Sequence, residues 1–330
     1  MAGKTRRDFI KSAALGLGAA ALPLPLRAAF AEEINVPRRR LGKTGELVSI
    51  LGVGGWHLGS IRQDREAIDL VRRAVDLGAT FMDNAWEYHR GRSEELMGRA
   101  LADGYRQKVF LMSKHHGRDK ETGLRHLEDS LRRLKTEVID LWQFHEVIYE
   151  DDPDRIFGPN GGIEAAVLAQ KQGKVKYIGF TGHKDPAIFK RMLAHDFAWD
   201  AVQMPVNVLD AHFRSFQQEI LPVLVERDIG AIAMKSLASG HLLRTDAVTP
   251  AEAMAYTWSQ PISTLVSGMT SVGELRTNAL LASDFKPLSA QEQERLLART
   301  EEIARTGRYE PFKTGRGFDG AVGRRQHGLQ

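Results

Sequence analysis

The chain contains no cysteine among its 330 residues. Disulfide bonds, thiolate-bound metals and iron–sulfur clusters are therefore excluded, although a cysteine-free chain suits either redox compartment. The chain is also poor in long apolar runs. The apolar stretch at residues 13–26 is interrupted by glycine and proline and is too short for a stable transmembrane span. We therefore expect no membrane span in the mature chain.

The main part of the chain also lacks a charge excess of either sign. The whole sequence has 46 basic and 42 acidic residues, which gives a formal net charge of +4. Residues 1–31 contain five of the basic residues and one of the acidic ones, so 41 of each remain in the rest of the chain. Because residues 32–330 carry no net charge, the sequence gives no reason to expect nucleic acid as a partner.

The N-terminus has the order of segments that an export signal has. Residues 4–11 read K-T-R-R-D-F-I-K, the apolar stretch follows, and Ala29-Phe30-Ala31 forms a small-x-small cleavage site. The paired arginines resemble those of a twin-arginine (Tat) signal peptide. A basic, alanine-rich disordered segment is the alternative, but three features agree on the signal. We expect export by the Tat machinery, a mature chain that begins near Glu32, and a periplasmic location.

Strand-like segments follow the leader at regular intervals. Residues 39–48 are predicted to form a short hairpin with its turn at residues 43–45. Eight strand candidates come next, and several are apolar without alternation, as expected for a parallel sheet covered by helices. These candidates are residues 50–54, 80–84, 109–113, 139–144, 175–180, 201–204, 230–234 and 264–267.

Helix-like segments with apolar residues at spacings of three and four follow the strands. They are residues 65–77, 93–101, 122–134, 162–172, 186–195, 216–227, 250–259 and 272–281. Eight alternations with short connections predict an α/β protein, a (β/α)8 TIM barrel rather than an open sheet. A further helix at residues 290–304 precedes a Gly- and Arg-rich tail from Thr306, which is either mobile or folded over the barrel mouth. No linker is evident, so residues 32–330 are expected to form one domain.

Four polar residues stand at or just after the ends of predicted strands: Asp83, Tyr88, Lys114 and His145. Active sites of such barrels lie at the C-terminal ends of the strands. Each residue alone could be structural, as a turn cap, a half-buried aromatic, a rim cation or a core histidine. Together they place an acid, a cation that modulates it and an orienting imidazole around one substrate oxygen, which favours carbonyl reduction.

The chain resembles the aldo-keto reductase family in these four residues and in several longer motifs. The motifs are G-V-G-G-W at 52–56, G-K-V-K-Y-I-G-F-T at 173–181, V-Q-M-P-V-N at 202–207 and M-K-S-L-A-S-G at 234–240. The resemblance runs from the hairpin to the helix that contains Asn278. It implies an enzyme that reduces an aldehyde or ketone to an alcohol with a reduced nicotinamide.

The resemblance also implies a role for each of the four residues. Tyr88 would be the general acid that protonates the carbonyl oxygen. Lys114 would lower the pKa of the Tyr88 phenol, and Asp83 would keep Lys114 charged and fixed. His145 would donate a hydrogen bond to the substrate oxygen and orient it. The hydride would come from the nicotinamide, since no side chain can supply one.

Cofactor contacts follow from the same resemblance. Gln203 would bind the nicotinamide carboxamide with help from Thr181, and Met234 occupies the position at which the family usually has a stacking aromatic. The adenosine end would lie near residues 268–278. Glu274 stands there at a position often held by a cation, but Arg276 is close and favours NADP, with NAD possible. The full set of predicted cofactor-binding residues is Thr181, Gln203, Met234, Lys235, Leu237, Gly268, Thr270 and Asn278.

The two tryptophans Trp56 and Trp86 are expected to line the substrate pocket, with ordinary aromatic packing as the alternative. The adjacent histidines His115 and His116 suggest a metal site at first sight. Neighbouring residues of a strand point in opposite directions, however, so we expect no metal there.

Two other functions stay open on the sequence alone. A non-catalytic barrel could bind nucleotide as a redox sensor or partner subunit, which the predicted export and the methionine at position 234 favour. A lyase or aldolase could use Lys114 as a Schiff base, but pairing with Asp83 would keep that amine charged and not nucleophilic. The sequence indicates neither the substrate nor the oligomeric state.

Overall fold

The computed structural model of the chain describes residues 34–329. The predicted export signal and its cleavage site lie outside the described residues, so both stay predictions, as does the start of the domain at residue 32. Within residues 34–329, the helices are all too short or too polar to cross a lipid bilayer.

Eight parallel strands close into a barrel, which confirms the predicted fold class. Each strand pairs with the next along the chain, and the eighth pairs with the first. Two short strands, β1 (Arg38–Arg40) and β2 (Leu47–Ser49), form the predicted antiparallel hairpin before the barrel. The barrel strands are β3 (Leu51–Gly54), β4 (Phe81–Asp83), β5 (Phe110–His115), β6 (Ile139–Phe144), β7 (Val175–Thr181), β8 (Ala201–Pro205), β9 (Gly230–Met234) and β10 (Thr264–Ser267).

Helices surround the barrel and extend beyond it. In chain order they are α1 (Gly55–Ser60), α2 (Asp64–Asp76), α3 (Arg92–Ala100), α4 (Lys120–Leu134), α5 (Asp152–Phe157), α6 (Gly162–Lys171), α7 (Pro186–Ala194), α8 (Phe216–Glu219), α9 (Leu221–Glu226), α10 (Pro250–Ser259), α11 (Val272–Ser283), α12 (Ala290–Ala304), α13 (Pro311–Thr314) and α14 (Ala321–Gln326).

Local sequence explains where several of these helices begin and end. Asp119 precedes α4 and its carboxylate accepts a hydrogen bond from the backbone N–H of Thr122 at 2.8 Å, which satisfies one of the free donors of the first turn. The prediction of a single helix over residues 216–227 is wrong, because the helix is interrupted at Ile220, between α8 and α9. Pro222 lies in the first turn of α9, where its missing N–H does no harm, whereas inside a continuous helix it would disrupt the preceding turn.

The hairpin closes the N-terminal end of the barrel with apolar side chains. Leu41 and Val48 are buried and pack into one core cluster with Phe81, Phe110 and other strand residues. The turn is held by the N–H of Lys43, which donates to the carbonyl oxygen of Asp228 at 2.6 Å. This end of the barrel is therefore sealed by the hydrophobic effect, and access to the interior is from the opposite end.

The tail folds over the mouth of the barrel, which decides between the two alternatives left by the sequence. Lys313 in α13 is fully buried between Asp210 and Glu310, with Nζ–O distances of 2.6 and 2.8 Å. Lys184 forms an ion pair with Asp319 at 2.6 Å. These contacts hold the residues between α13 and α14 against the C-terminal ends of the strands.

Candidate active site

The four strand-end residues predicted from the sequence come together at the mouth of the barrel. Asp83 is the last residue of β4, Lys114 is the fifth residue of β5, and His145 directly follows β6. Tyr88 opens a short 3-10 turn after β4. Because parallel strands end at one face, residues scattered over sixty positions of sequence share one site.

Lys114 is the centre of a hydrogen-bonded array. Its Nζ donates to Oδ1 of Asp83 at 2.7 Å, to the carbonyl oxygen of Asn84 at 2.8 Å and to the hydroxyl of Tyr88 at 3.2 Å. The imidazole of His145 meets the Tyr88 ring edge-on, with 5.4 Å between ring centroids. Asp83, Lys114 and His145 are buried, so their geometry is fixed by packing.

The pKa of the Tyr88 phenol is set by burial and by the carboxylates around it. Burial raises the pKa of Tyr88 well above its usual value of 10, and the carboxylates of Asp83, Glu87 and Glu146 raise it further. The net pKa of Tyr88 is therefore raised in the free protein, and the predicted lowering of this pKa by Lys114 stays a prediction. Tyr88 stays protonated at neutral pH and is suited to donate a proton.

Burial also shifts the pKa values of Lys114 and His145. Burial lowers the pKa of Lys114, and the charge of Asp83 opposes that shift. Burial, with the nearby His116 and Lys114, lowers the pKa of His145 well below its usual value of 6.5. The imidazole is thus neutral at physiological pH and has one N–H to donate and one nitrogen lone pair.

The array lines a cavity of about 720 Å³ at the C-terminal ends of the strands. This volume lies within the range of small-molecule and cofactor sites. Trp56 lines it and meets the Tyr88 ring at 5.5 Å in an edge-on arrangement. The predicted cofactor-binding residues that also line it are Thr181, Gln203, Met234, Lys235, Leu237 and Gly268.

Three predicted residues lie outside this cavity. Trp86 stacks on His126, with 3.6 Å between ring centroids, and its Nε1 donates to Asp129. Thr270 bonds to Glu274 in the cap of α11, and Asn278 donates from Nδ2 to Oγ of Ser267 at 3.2 Å. Trp86 therefore packs against α4 instead of lining the pocket.

Lys235 gives the cavity a feature that suits an anionic cofactor. It follows β9, and none of the described carboxylates lies within ion-pair distance of it, while its Nζ lies 5.3 Å from the centroid of the Phe312 ring. Burial lowers the pKa of Lys235 to about 8. Loops after the seventh and eighth barrel strands are where TIM barrels commonly bind phosphate, and an unpaired ammonium there fits a pyrophosphate or phosphate group.

Sequence reasoning missed an acidic wall of the cavity. Oε2 of Glu87 lies 3.1 Å from Nε2 of His116, and Oε1 lies 3.5 Å from Nδ1 of His145. The carboxylate of Glu146 accepts the N–H of Gly320 from the tail at 2.9 Å. Glu87 directly precedes Tyr88 and Glu146 directly follows His145, so adjacency to two predicted site residues was the available signal.

The two adjacent histidines do face opposite ways, as expected. His115 stacks on Trp142 with 3.7 Å between ring centroids. His116 turns to the cavity side, where its ring lies 4.9 Å from that of His145.

Comparison with known proteins agrees with this architecture. The sequence profile described as the Aldo/keto reductase family matches residues 50–306. The uncharacterised oxidoreductase YrpG of Bacillus subtilis is 30% identical over 226 residues, which cover 61% of this chain and 67% of that protein. The chain spans about two thirds of the length of the curated relatives that it matches.

Solved structures of low identity share the barrel. The aldo-keto reductase AKR11C1 from Bacillus halodurans, in its holo form, aligns with a TM-score of 0.69 at 24% identity, covering 80% of this chain and 96% of that chain. An aldo/keto reductase from Klebsiella pneumoniae in complex with NADP and acetate aligns with a TM-score of 0.65 at 23% identity, covering 82% and 96% of the two chains. The profile match extends over most of the chain and coincides with the barrel, and the chain therefore belongs to the aldo/keto reductase family.

Proposed function

We propose that this protein reduces an aldehyde or ketone to an alcohol by hydride transfer from NADPH, with NADH as the other possible donor. The observation that carries the proposal is the array of Asp83, Lys114 and Tyr88 beside His145 in one cavity. These groups can protonate and orient a carbonyl oxygen. The hydride, which none of them can supply, is what a bound reduced nicotinamide provides.

Each residue has a definite task in this proposal. The Tyr88 hydroxyl donates its proton to the carbonyl oxygen as negative charge develops there. Lys114 stabilises the phenolate that remains, across the 3.2 Å contact between Nζ and the hydroxyl. Asp83 holds Lys114 in place. The neutral imidazole of His145 donates a hydrogen bond to the same substrate oxygen, which is an electrostatic contribution in a water-poor site.

The residues around the cavity would hold the cofactor. Gln203, whose Nε2 donates to Oδ2 of Asp83 at 2.8 Å, and Thr181 would bind the carboxamide. Met234 would cover the nicotinamide face, and Lys235 would bind the pyrophosphate. Support for NADP comes from the Klebsiella relative that binds it and from the exposed Arg276, because the nearby Glu274 carboxylate is engaged by the N–H of Thr270.

The hydrogen bonds of Lys114 argue against a Schiff-base mechanism. All three ammonium protons have acceptors, namely Asp83, Asn84 and Tyr88. An amine in this state has no free lone pair with which to attack a carbonyl. The complete proton-donating array likewise favours catalysis over a purely nucleotide-sensing barrel.

The Tyr88→Phe variant tests this proposal. Without the phenolic proton, kcat for NADPH-dependent reduction of small aldehydes should fall by about 10²–10⁴-fold. Binding of NADPH, followed by tryptophan fluorescence, should change little, because the hydroxyl is not assigned to the cofactor. Tyr105→Phe is a matched control, since that hydroxyl lies far from the cavity against Asp76. Reduction by Tyr88→Phe at the wild-type rate would remove Tyr88 as the donor.

We also propose that the protein is exported to the periplasm by the Tat machinery. The support is the order of basic, apolar and cleavage segments before Glu32. Replacing both Arg6 and Arg7 by lysine should leave the precursor in the cytoplasm, as measured by cell fractionation and by mass spectrometry of the N-terminus. Equal amounts of the wild type and of the double-lysine variant in the periplasm would contradict export by the Tat machinery.

A further inference from the structure

We propose that Glu87, His116 and His145 form a binding site for a divalent transition metal such as Zn²⁺, and that metal bound there inhibits carbonyl reduction by filling the place of the substrate oxygen beside His145. The metal site itself stands on the geometry of the three side chains. The inhibition rests on the proposed function, because it assigns His145 to the substrate oxygen.

The spacing of the three side chains fits a tetrahedral ion. One ligand atom from each lies within 4.8 Å of those from the other two. Zinc binds imidazole nitrogen and carboxylate oxygen at about 2.0–2.2 Å, so two ligands of a tetrahedron are about 3.3 Å apart. Glu87 makes a contact of about this length through each of its oxygens, 3.1 Å from Oε2 to Nε2 of His116 and 3.5 Å from Oε1 to Nδ1 of His145. With one ligand atom from each residue, the wider pairs would have to close by at most about 1.5 Å.

The imidazole of His116 lacks the partners that a buried histidine normally has. Its side chain is fully buried, and neither ring nitrogen makes a hydrogen bond with a described residue, despite the close approach of Glu87. Nδ1 of His145 is also buried and without a hydrogen bond there. A buried polar group without a partner is destabilising, because it has lost its hydrogen bonds with water. Coordination of a metal by the ring nitrogens would remove that cost.

The charge around this cluster also favours a cation. The Glu87 and Glu146 carboxylates both approach Gly320, where an added Cβ would lie 2.7 Å from Oε1 of Glu87 and 2.6 Å from Oε2 of Glu146. Among residues 34–329, neither carboxylate has a lysine or arginine nitrogen within ion-pair distance. Arg324 of the tail, which also lines the cavity, donates instead to the carbonyl oxygen of Asp319. Two neighbouring carboxylates in a largely buried site repel one another, and a divalent ion would neutralise them.

The fourth coordination position would face the substrate. Two histidines and one glutamate leave one position of a tetrahedral zinc ion open. Glu87 and His145 both line the cavity that contains Tyr88, so the open position points into it. A metal on Nδ1 of His145 leaves the proton on Nε2. Inhibition would therefore come from the water or anion in the open position, which would stand where the carbonyl oxygen should bind.

The experiment measures metal binding first, without reference to activity. Full-length protein without a polyhistidine tag is treated with chelator and titrated with Zn²⁺ by calorimetry and by equilibrium dialysis, with Mg²⁺ as a competitor. Co²⁺ serves as a spectroscopic probe, because its visible absorption reports tetrahedral coordination. We expect one Zn²⁺ per chain and a tetrahedral Co²⁺ spectrum.

Two ligand variants and one control locate the site. His116→Asn, and Glu87→Gln as a second variant should the first fail to fold, should lose at least about tenfold in zinc affinity. His126→Asn is the matched control, because His126 is also buried and its Nδ1 has no hydrogen-bond partner among the described residues, but it stacks on Trp86 and is not one of the three ligands. It should keep wild-type affinity. Absence of stoichiometric zinc in the wild type, or equal affinity in both ligand variants, would overturn the site.

Activity then tests the inhibition. Saturating Zn²⁺ should reduce kcat/KM of the wild type by at least about tenfold and that of His116→Asn by less than about twofold. Zinc binding with unchanged reduction would overturn the inhibition and leave the site. If the metal-free protein reduces no carbonyl compound with either nucleotide, the proposed function fails, while the binding data still decide the site.

Discussion

Two fully buried lysines show how one kind of ion pair serves two purposes in this protein. Lys114 lies in the barrel with its Nζ 2.7 Å from Asp83, and Lys313 lies under the tail with its Nζ 2.6 Å from Asp210. The remaining partners differ. Lys114 reaches a phenol that faces the cavity, whereas Lys313 reaches Glu310 and the carbonyl oxygen of Phe213 inside the protein.

The comparison shows that burial and ion pairing alone do not mark an active site. Both lysines have carboxylate partners and are almost inaccessible to solvent. The difference is that Lys114, unlike Lys313, contacts a proton donor that faces the cavity, the Tyr88 phenol. The Lys313 cluster instead ties α13 to the loop after β8, and so holds the tail residues that cover the mouth.

Replacement of Lys114 by methionine should separate the two clusters most clearly. The phenolate formed at Tyr88 would lose its cation, so kcat should fall by about 10²–10⁴-fold. Asp83 loses a buried cation, which typically costs about 3–5 kcal/mol of unfolding free energy, but it keeps the donor Nε2 of Gln203. The folded fraction should therefore still bind NADPH, and kcat is compared for that fraction. Steady-state kinetics and fluorescence titration are the measurements. Activity within twofold of wild type would make Lys114 a structural residue like Lys313.

Replacement of Lys313 by methionine should have the converse effect. It leaves two buried carboxylates without their cation, which typically costs about 3–5 kcal/mol of unfolding free energy. Denaturant unfolding measures that loss. The kcat of the folded fraction should change little, because Lys313 does not line the cavity, while KM for the substrate should rise as the tail loosens. A collapse of kcat with unchanged stability would reverse the two assignments.

Most of the barrel was predictable because its signals are local. Each of the eight strands was predicted at its place, since apolar runs bounded by turns are typical of buried parallel strands. The four strand-end residues followed from the rule that strand ends meet. Helix α1 was missed because it begins at Gly55 directly after a strand that ends in glycine, without a side-chain cap.

The rest depended on contacts between distant segments. In the acidic wall, Glu87 contacts His116 and Glu146 accepts a hydrogen bond from Gly320 of the tail. No repeating pattern in the sequence predicts these contacts. The position of Trp86 was missed for a similar reason. In an irregular loop no periodicity fixes the direction of a side chain, and here the stacking on His126 decides it.

Lys235 extends the comparison to a lysine that has no carboxylate partner within residues 34–329. Burial lowers its pKa to about 8, so the free protein loses this charge as the pH rises through that value. Binding of an anionic cofactor then requires uptake of a proton, and the Kd for NADPH should rise by up to about tenfold per pH unit above pH 8. Fluorescence titrations between pH 7 and 10 measure this. The Lys235→Met variant should bind more weakly at pH 7 with a flatter profile, and equal slopes would contradict the assignment.

The smallest effect concerns Glu310, the second carboxylate of the Lys313 cluster. Burial raises its pKa from the usual 4.5 to about 7, so the folded state holds a proton that the unfolded state releases. The contribution of this group to stability is complete below its unfolded pKa and is lost as the pH rises through 7. Glu310→Gln keeps an acceptor for Nδ2 of Asn207 and carries no charge. It should raise the free energy of unfolding at pH 8 by an amount on the order of 1 kcal/mol, and with it Tm, and the gain should vanish near pH 4.

A glutamate with the opposite shift supplies the control. Glu292 caps α12, and its hydrogen bonds with Ser289 lower its pKa. Its stabilising contribution is present above its unfolded pKa and is lost as the pH falls, so Glu292→Gln should lower Tm at pH 8. Thermal unfolding of both variants between pH 4 and 8 should therefore give differences from wild type of opposite sign. A lowered Tm for Glu310→Gln at pH 8 would contradict this. It would mean that the charge of Lys313 is compensated by both Glu310 and Asp210, and not mainly by Asp210.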